Sequence, residues 1–294
     1  MPHLEIRPAR AEDREAVLAF CAHTWEWGDY IEQVWDEWLH DPRGRLFVAT
    51  MDGQPVGVAN VRMLNKTEAW LEGMRVDTAF RQHGIATALY EAQLTEAIRR
   101  GATTARLITE STNAGSLRLL ERGSMRQVGA FVPFRGLPST MPIKRQYGLE
   151  TPILATADDL NDIIDYLNVS NTFPAVGGLY YRGFTAYSIT SELLAEKIAA
   201  QQIYILRRWD RLDGLAIAEP REWHENKNLF IGYIDGTTES ISLIAYALRR
   251  RLAELGLESV SANVPDLMMV RDAFVGAEYE WNGMVFYTYE RSLV

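Results

Sequence analysis

Seven consecutive residues, Arg81-Gln82-His83-Gly84-Ile85-Ala86-Thr87, have the types and spacing to hold a phosphate group. Gly84 lets the backbone turn without a Cβ penalty and lets a ligand come close, and Ala86 is small enough to serve the same end one turn on. Ile85, Leu89, Ala92, Leu94, Ala97 and Ile98 then follow helical spacing up to Gly101, a C-cap residue. The first-turn N–H groups of such a helix lack internal partners and sit at the positive end of its dipole, so a pyrophosphate suits them. Thr87 adds a hydroxyl donor and Arg81 an offsetting charge, while His83 faces phosphate or solvent. The loop follows an apolar strand, Glu68–Val76. A second polar group, Asn113-x-x-Ser116-Leu117-x-x-Leu120-Glu121, comes just after the next strand, Arg106–Thr109.

The elements that must position these groups are legible in order. Leu4–Arg7 alternates like a strand, Glu12 to His23 and Tyr30–Leu39 have helical spacing, and Leu46–Thr50 and Pro55–Val61 are strands joined at the turn Asp52-Gly53. After Glu68–Val76 and the long helix come Arg106–Thr109, a short helix Ser116–Arg122 and a strand Met125–Phe134. The result is a mixed α/β unit of about 135 residues. Its acids are unevenly placed: Glu12 to Asp41 holds nine acids and one base, with Trp25, Trp27, Trp35 and Trp38 among them. Trp35 and Trp38, three apart, read as anchors of one helix face, whereas Trp25 and Trp27 read as lining a site.

Here the resemblance becomes specific. Met74 to Thr87, MRVDTAFRQHGIAT, resembles the strand-loop-helix signature of the GCN5-related N-acetyltransferase (GNAT) superfamily, and the Asn113 segment is similar to the helix motif that follows it. The resemblance implies an α/β fold with a mostly antiparallel mixed sheet, splayed at an acyl-CoA site and flanked by helices. It implies acetyl-CoA as co-substrate. The backbone of Met74, Arg75 and Val76 would pair with the pantetheine arm, and Arg81 through Thr87 would hold the pyrophosphate. Asn113 and Ser116 would lie along the arm near the thioester.

Acetyl transfer to an amine needs a free lone pair, hence a base or water chain that takes the proton. Glu72 leads, because it lies two residues before Met74 and so on the same strand face. Glu110 is second. For the acid, relatives often carry Tyr where this chain has Leu120, so Ser116, a water or direct thiolate release is left. Trp25, Glu26, Trp27 and Asp29 would bind a cationic acceptor through aromatic faces and carboxylates. Cys21 reads as a small buried residue rather than a nucleophile.

Residues 138–152, with Pro138, Pro142 and Pro152, read as a linker between residues 1–137 and a second copy, residues 153–294. Ala9-Arg10-Ala11-Glu12-Asp13 recurs as Ala155-Thr156-Ala157-Asp158-Asp159, and Val76-Asp77 recurs as Ile234-Asp235. The second copy has Gly236-Thr237-Thr238-Glu239-Ser240 where the first has its phosphate loop. Two tandem GNAT-like domains are therefore expected, the second degenerate and without a site. Arg249-Arg250-Arg251 reads as a solvated helix face.

Composition sets the outer limits. The 294 residues are 47% hydrophobic and 23% charged, a globular balance. A formal charge of -9 argues against nucleic acid as partner. No apolar run is long enough to span a bilayer, and the first residues do not read as a secretory signal. The lone Cys21 excludes a disulfide within the chain and points to a cytoplasmic protein. No His pair has metal-ligand spacing, so no metal is expected. The partner expected is a small-molecule or peptide amine, acted on by a monomer or homodimer.

Overall fold

The computed structural model describes residues 3–25, 28–139, 151–223 and 226–294. Glu26 and Trp27, two of the expected acceptor residues, lie outside the described residues, as do residues 140–150 of the expected linker. The chain forms two compact units: one of Met1–Ile108, Ala114–Arg126 and Tyr289–Val294, the other of Thr109–Asn113 and Gln127–Thr288.

The first unit begins with strand β1 (Leu4–Pro8), helices α1 (Arg14–Cys21) and α2 (Ile31–His40), and strands β2 (Gly44–Met51), β3 (Gln54–Met63) and β4 (Glu68–Val76). Helix α3 (Ile85–Arg99), strand β5 (Thr104–Glu110) and helix α4 (Ala114–Arg122) follow. Strands β1 to β4 pair antiparallel in sequence order, whereas β5 runs parallel to β4. A mixed, mostly antiparallel sheet results. Asp52 and Gly53 both have positive φ, 50° and 86°, which fits the two-residue turn between β2 and β3.

The two sheet faces bury different sets of side chains. On one, Val17, Cys21, Ile31, Trp35 and Trp38 of α1 and α2 pack on Leu46, Val48 and Val58. On the other, Ile85 and Leu89 of α3 pack on Ala49, Val56 and Ala59, with Met74 and Val76 alongside. Gly57 lets α3 sit close, since a Cβ there would come within 3.0 Å of Ile85 and 3.1 Å of Leu89.

In the second unit, β6 (Arg126–Gly136) is followed by β7 (Ile153–Leu154), helices α5 (Leu160–Val169) and α6 (Thr172–Ala175), and the hairpin β8 (Leu179–Arg182) and β9 (Thr185–Ser188). Then come α7 (Ser191–Ala199), β10 (Ile203–Arg208), β11 (Arg211–Trp223), β12 (Asn226–Gly236), α8 (Thr238–Leu255), β13 (Ser259–Pro265), α9 (Met268–Gly276), β14 (Glu280–Trp281) and β15 (Phe286–Ser292). Its strand order is β6-β13-β12-β11-β10-β7, with β12 and β13 parallel. The plan of the first unit is repeated, down to the turn that opens each half. Asp13 accepts from the Arg10 N–H and Asp159 from the Thr156 N–H, each at 2.8 Å.

Each unit also holds a strand from the other half of the sequence. Gln127–Gly136 of β6 belongs to the second unit, where it pairs antiparallel with β13 from Val260↔Gly136 to Pro265↔Phe131. Tyr289–Val294 belongs to the first unit, where Glu290 bonds Arg106 of β5 at 2.7 Å and Leu293 donates its N–H to the Thr103 carbonyl at 2.8 Å.

One expectation is corrected within the second unit. Arg249 is not on a solvated face: it is buried, donating to the carbonyls of Leu137 and Ala277 at 2.6 Å and to Glu278 at 2.9 Å. Three consecutive arginines fan over about 200° of the helix, too wide for a narrow polar face, and Arg249 is the one that turns inward.

Candidate active site

The phosphate loop is built from backbone geometry. Gln82 has φ +67°, and Gly84, the residue capping α3, has φ +80° and ψ 0°. No side chain caps α3, and a Cβ placed on Gly84 would meet nothing within 4 Å. Arg81, Gln82, His83, Gly84 and Thr87 are exposed, Ala86 is half-buried, and only Ile85 turns into the core. The His83 ring nitrogen Nδ1 lies 2.9 Å from the Arg81 carbonyl and 3.2 Å from that of Phe80, so His83 braces the loop from within. The second unit differs at this point. The N-terminus of α8 is closed by its own side chains: Thr237 accepts from the Ser240 N–H at 3.1 Å, and the buried Ser240 hydroxyl bonds Asp213. Donors that α3 leaves open are consumed in α8.

Strand β4 leads to the loop and is interrupted twice. Its pairing with β5 covers only Glu68↔Thr104 to Trp70↔Arg106, while β4 runs on to Val76. Its pairing with β3 passes from Asn60↔Glu72 to Val58↔Arg75, so Gly73 and Met74 together oppose Ala59. This is a β-bulge, and Gly73 at φ +69° supplies its left-handed residue. Gly73 has a second reason to lack a side chain, since a Cβ there would overlap the Trp38 ring.

The bulge overturns the reading that Glu72 and Met74 share a strand face. An extra residue breaks the two-residue alternation. Met74 and Val76 face α3, whereas Glu72 pairs with the side chains of Asn60 and Arg62 on β3. Asn60 and Arg62 alternate with Val58, which packs under α1 and α2. Asn60 donates to Glu72 Oε1 at 3.0 Å, and Arg62 Nε lies 3.0 Å from the same oxygen. Burial raises the Glu72 carboxyl above the usual range against the pull of Arg62 and the Asn60 bond, with Glu37 and Asp41 adding to the rise. A carboxylate so held retains its proton more readily than one in water.

Arg75, also on β4, is the residue whose placement the sequence did not disclose. Its guanidinium bonds Asp29 through Nε at 2.6 Å and Nη2 at 3.3 Å, and donates through Nη1 to the Met74 carbonyl at 2.9 Å. It lies 4.6 Å from the Trp25 ring centroid and 5.2 Å from that of Tyr30. Asp29 and Trp25, expected to meet an acceptor's ammonium, thus meet a cation of this chain. Asp29 also accepts from the Ile31 N–H at 3.2 Å, which starts α2. Trp25 and Gly28 exchange backbone hydrogen bonds at 3.2 and 3.1 Å.

The remaining candidates are placed more simply. Ser116 is half-buried on α4, and Leu120, at the position where a Tyr is usual, is buried against Tyr90 and Leu94. Glu110, half-buried, ends β5, and its carbonyl accepts from the N–H of exposed Asn113 at 3.1 Å. Thr109–Asn113 belongs to the second unit. Burial drives the Cys21 thiol up to about 12, in keeping with a packing role. Among the described residues no His, Cys, Asp and Glu group could hold a metal, and no helix is long and apolar enough to cross a membrane.

In the first unit, then, two parallel strands part beside an open, glycine-led helix start. Residues 14–124 match the acetyltransferase (GNAT) family model. Solved structures extend the likeness of fold over both units. A GCN5-related N-acetyltransferase from Sphaerobacter thermophilus is 13% identical with a TM-score of 0.62, over 99% of this chain and 96% of that one. A tandem GNAT protein from the clavulanic acid biosynthesis pathway is 13% identical with a TM-score of 0.54, over 99% of each chain. An acetyltransferase structure from Pyrococcus horikoshii is 16% identical with a TM-score of 0.52, over 98% of this chain and 89% of that one. No match was found among curated proteins.

Proposed function

We propose that the protein is an N-acetyltransferase that moves an acetyl group from acetyl-CoA to a primary amine in a ternary complex, with its one active site in the N-terminal copy. The observation that carries this reading is the contrast between the two helix starts: α3 opens on an uncapped, exposed Gly84, whereas α8 is closed by Thr237 and Ser240. Met74, Arg75 and Val76 would line the pantetheine arm along the part of β4 that β5 leaves unpaired, and Arg81 through Thr87 would take the pyrophosphate.

Glu72 serves as base or holds the water that does. The amine lone pair attacks the thioester carbonyl carbon, the C–N bond forms, and the ammonium proton passes towards Glu72. The tetrahedral oxyanion collapses, the C–S bond breaks, and the CoA thiolate leaves to take up a proton from Ser116, a bound water or solvent. Backbone N–H groups of the bulged strand oppose the oxyanion. Glu110 and Asn113 remain candidates for the same chemistry, and Trp25, Glu26, Trp27 and Asp29 for the acceptor side. The C-terminal copy is structural.

A second reading, a sensor that binds acyl-CoA without turnover, draws on buried Leu120, which leaves no phenol to protonate the thiolate. Calorimetry with acetyl-CoA and a CoA-release assay over a panel of amines decide between them. The enzyme reading expects one acetyl-CoA per chain, turnover with at least one amine, and a loss of about 100-fold in kcat for Glu72→Gln. Binding without turnover for every amine supports the sensor, and two acetyl-CoA per chain refutes the single-site assignment.

A further inference from the structure

The proposed transfer depends most on Glu72, and two side chains of β3 hold its carboxylate by one oxygen. Asn60 is the direct partner of Glu72 across the ladder, and Arg62 lies two residues further along the same strand face. Asn60 Nδ2 donates to Glu72 Oε1 at 3.0 Å, and Arg62 Nε lies 3.0 Å from that same oxygen. Both close contacts fall on Oε1, which leaves Oε2 as the oxygen for another partner. The carboxylate is not sealed off, since the Glu72 side chain keeps 16% of its surface exposed. Asn60 itself is fully buried, and Gln93 of α3 fastens its strand by donating Nε2 to the Asn60 carbonyl at 2.5 Å.

The side-chain oxygen of Asn60 is buried without a hydrogen-bond partner. An orphan acceptor in the core is destabilising, and a leucine would fill the place without one. Packing therefore does not account for this amide, whereas its grip on Glu72 does. Glu72 also stands where β4 has already parted from β5, one residue before the bulge at Gly73. Donor and acceptor would approach this edge from its two faces, Met74 on the side of α3 and Glu72 on the side of α1 and α2. Resting on the reading of Glu72 as base, we infer that Asn60 and Arg62 are positioning residues: together they grip one carboxylate oxygen and present the other to the proton that leaves the amine. Charges from every side bear on that proton. Burial, Glu37 of α2 and Asp41 beyond its end favour the neutral acid, while Arg62 and the Asn60 bond favour the carboxylate. The Tyr30 hydroxyl, ahead of α2, feels that carboxylate in turn. Without Arg62 the balance tips to the acid, and the base form appears only at higher pH.

The full-length chain tests this with three measurements: kcat against pH over a panel of amines, calorimetric affinity for CoA, and NMR titration of Glu72 in protein labelled with carboxyl-13C glutamate, its resonance assigned through Glu72→Gln. Wild type should show an acid limb in kcat that matches the Glu72 titration and is absent in Glu72→Gln. Arg62→Met and Asn60→Leu should move limb and titration together to higher pH by about one pH unit. Their plateau above the limb should fall about tenfold, because the second oxygen is no longer aimed. Arg62→Lys, which keeps the charge, should return the limb towards its wild-type position without restoring the plateau. Affinity for CoA should stay unchanged throughout. Limb and titration that stay in place in both variants overturn the inference, as does a parallel fall in CoA affinity, which a merely structural pair would cause. Should Asn60→Leu fail to fold, Arg62→Met carries the same comparison alone. If Glu72→Gln keeps wild-type turnover, or wild type turns over no amine, the base reading itself falls. A titration that still shifts in Arg62→Met would then mark an ion pair without a part in the reaction, and the inference falls with that reading.

Discussion

Gly84→Ala separates the ligand site from the scaffold. Gly84 sits at φ +80°, ψ 0°, where a Cβ costs about 1–2 kcal/mol of backbone strain. Nothing else in the protein resists the methyl group, because no atom lies within 4 Å of it. Stability should therefore fall by about 1–2 kcal/mol, or a few degrees in Tm. Affinity for acetyl-CoA should fall by at least about tenfold, since only a ligand close to this backbone can feel the added methyl. Gly53→Ala is a matched control: Gly53, in the turn between β2 and β3, has φ +86° and equally open surroundings. It should incur the same backbone cost with no change in affinity. Urea unfolding followed by circular dichroism and calorimetry with acetyl-CoA measure the two quantities. If both variants bind acetyl-CoA like wild type, the loop does not hold the pyrophosphate. If Gly84→Ala loses more than about 4 kcal/mol, the open cradle is wrong.

Three further outcomes follow from the packing. Ser124 has φ +56° just after α4, so Ser124→Gly should raise stability by about 1 kcal/mol in urea titration. Lys197 and Glu219 form a buried pair at 2.6 Å, and Lys197→Met should cost about 3 kcal/mol in the same titration by leaving the buried carboxylate only the more distant Arg182, at 3.4 Å. The Glu96 carboxyl is held down at about 2 by hydrogen bonds from Arg99, against the opposing effect of burial, and by Arg100. Its folded-state value lies below its unfolded one, so its contribution is full above about pH 4.5 and is lost as pH falls towards 2. Tm against pH for Glu96→Gln should lack that acid-side slope.

Much of the first unit could be read from spacing. The strand Glu68–Val76 has the bounds the alternation assigns it, and the helix ends before Gly101 as its cap predicts. Trp35 and Trp38 are buried on one helix face, as their three-residue separation requires. The strand bulge was not legible, although its glycine stood in plain view. Periodicity counts residues along one strand, and only the partner strand reveals that Gly73 and Met74 share one place. Glu72 therefore faces opposite to the expected side. Arg75 was named only for its backbone, because the aromatic and acidic residues around it are 45 to 50 positions away in the chain. Likewise, alternation in Arg126–Gly136 and Phe286–Ser292 identifies strands but not the sheets they enter.

That last feature bears on how the chain is made. The first unit cannot seat its closing strand until Tyr289–Val294 exists, and the bond from Arg106 to Glu290 spans 184 positions. At ~5–20 residues per second, synthesis leaves a delay of about 10–40 s between those two residues. During that interval the outer edge of β5 lacks its partner, an open invitation to pairing with other chains. The arginine at that edge and its neighbour Glu68, bonded at 2.8 Å, place charge on the waiting strand. Synthesis rate and chaperone supply should accordingly govern the yield of folded protein more strongly than its final stability does.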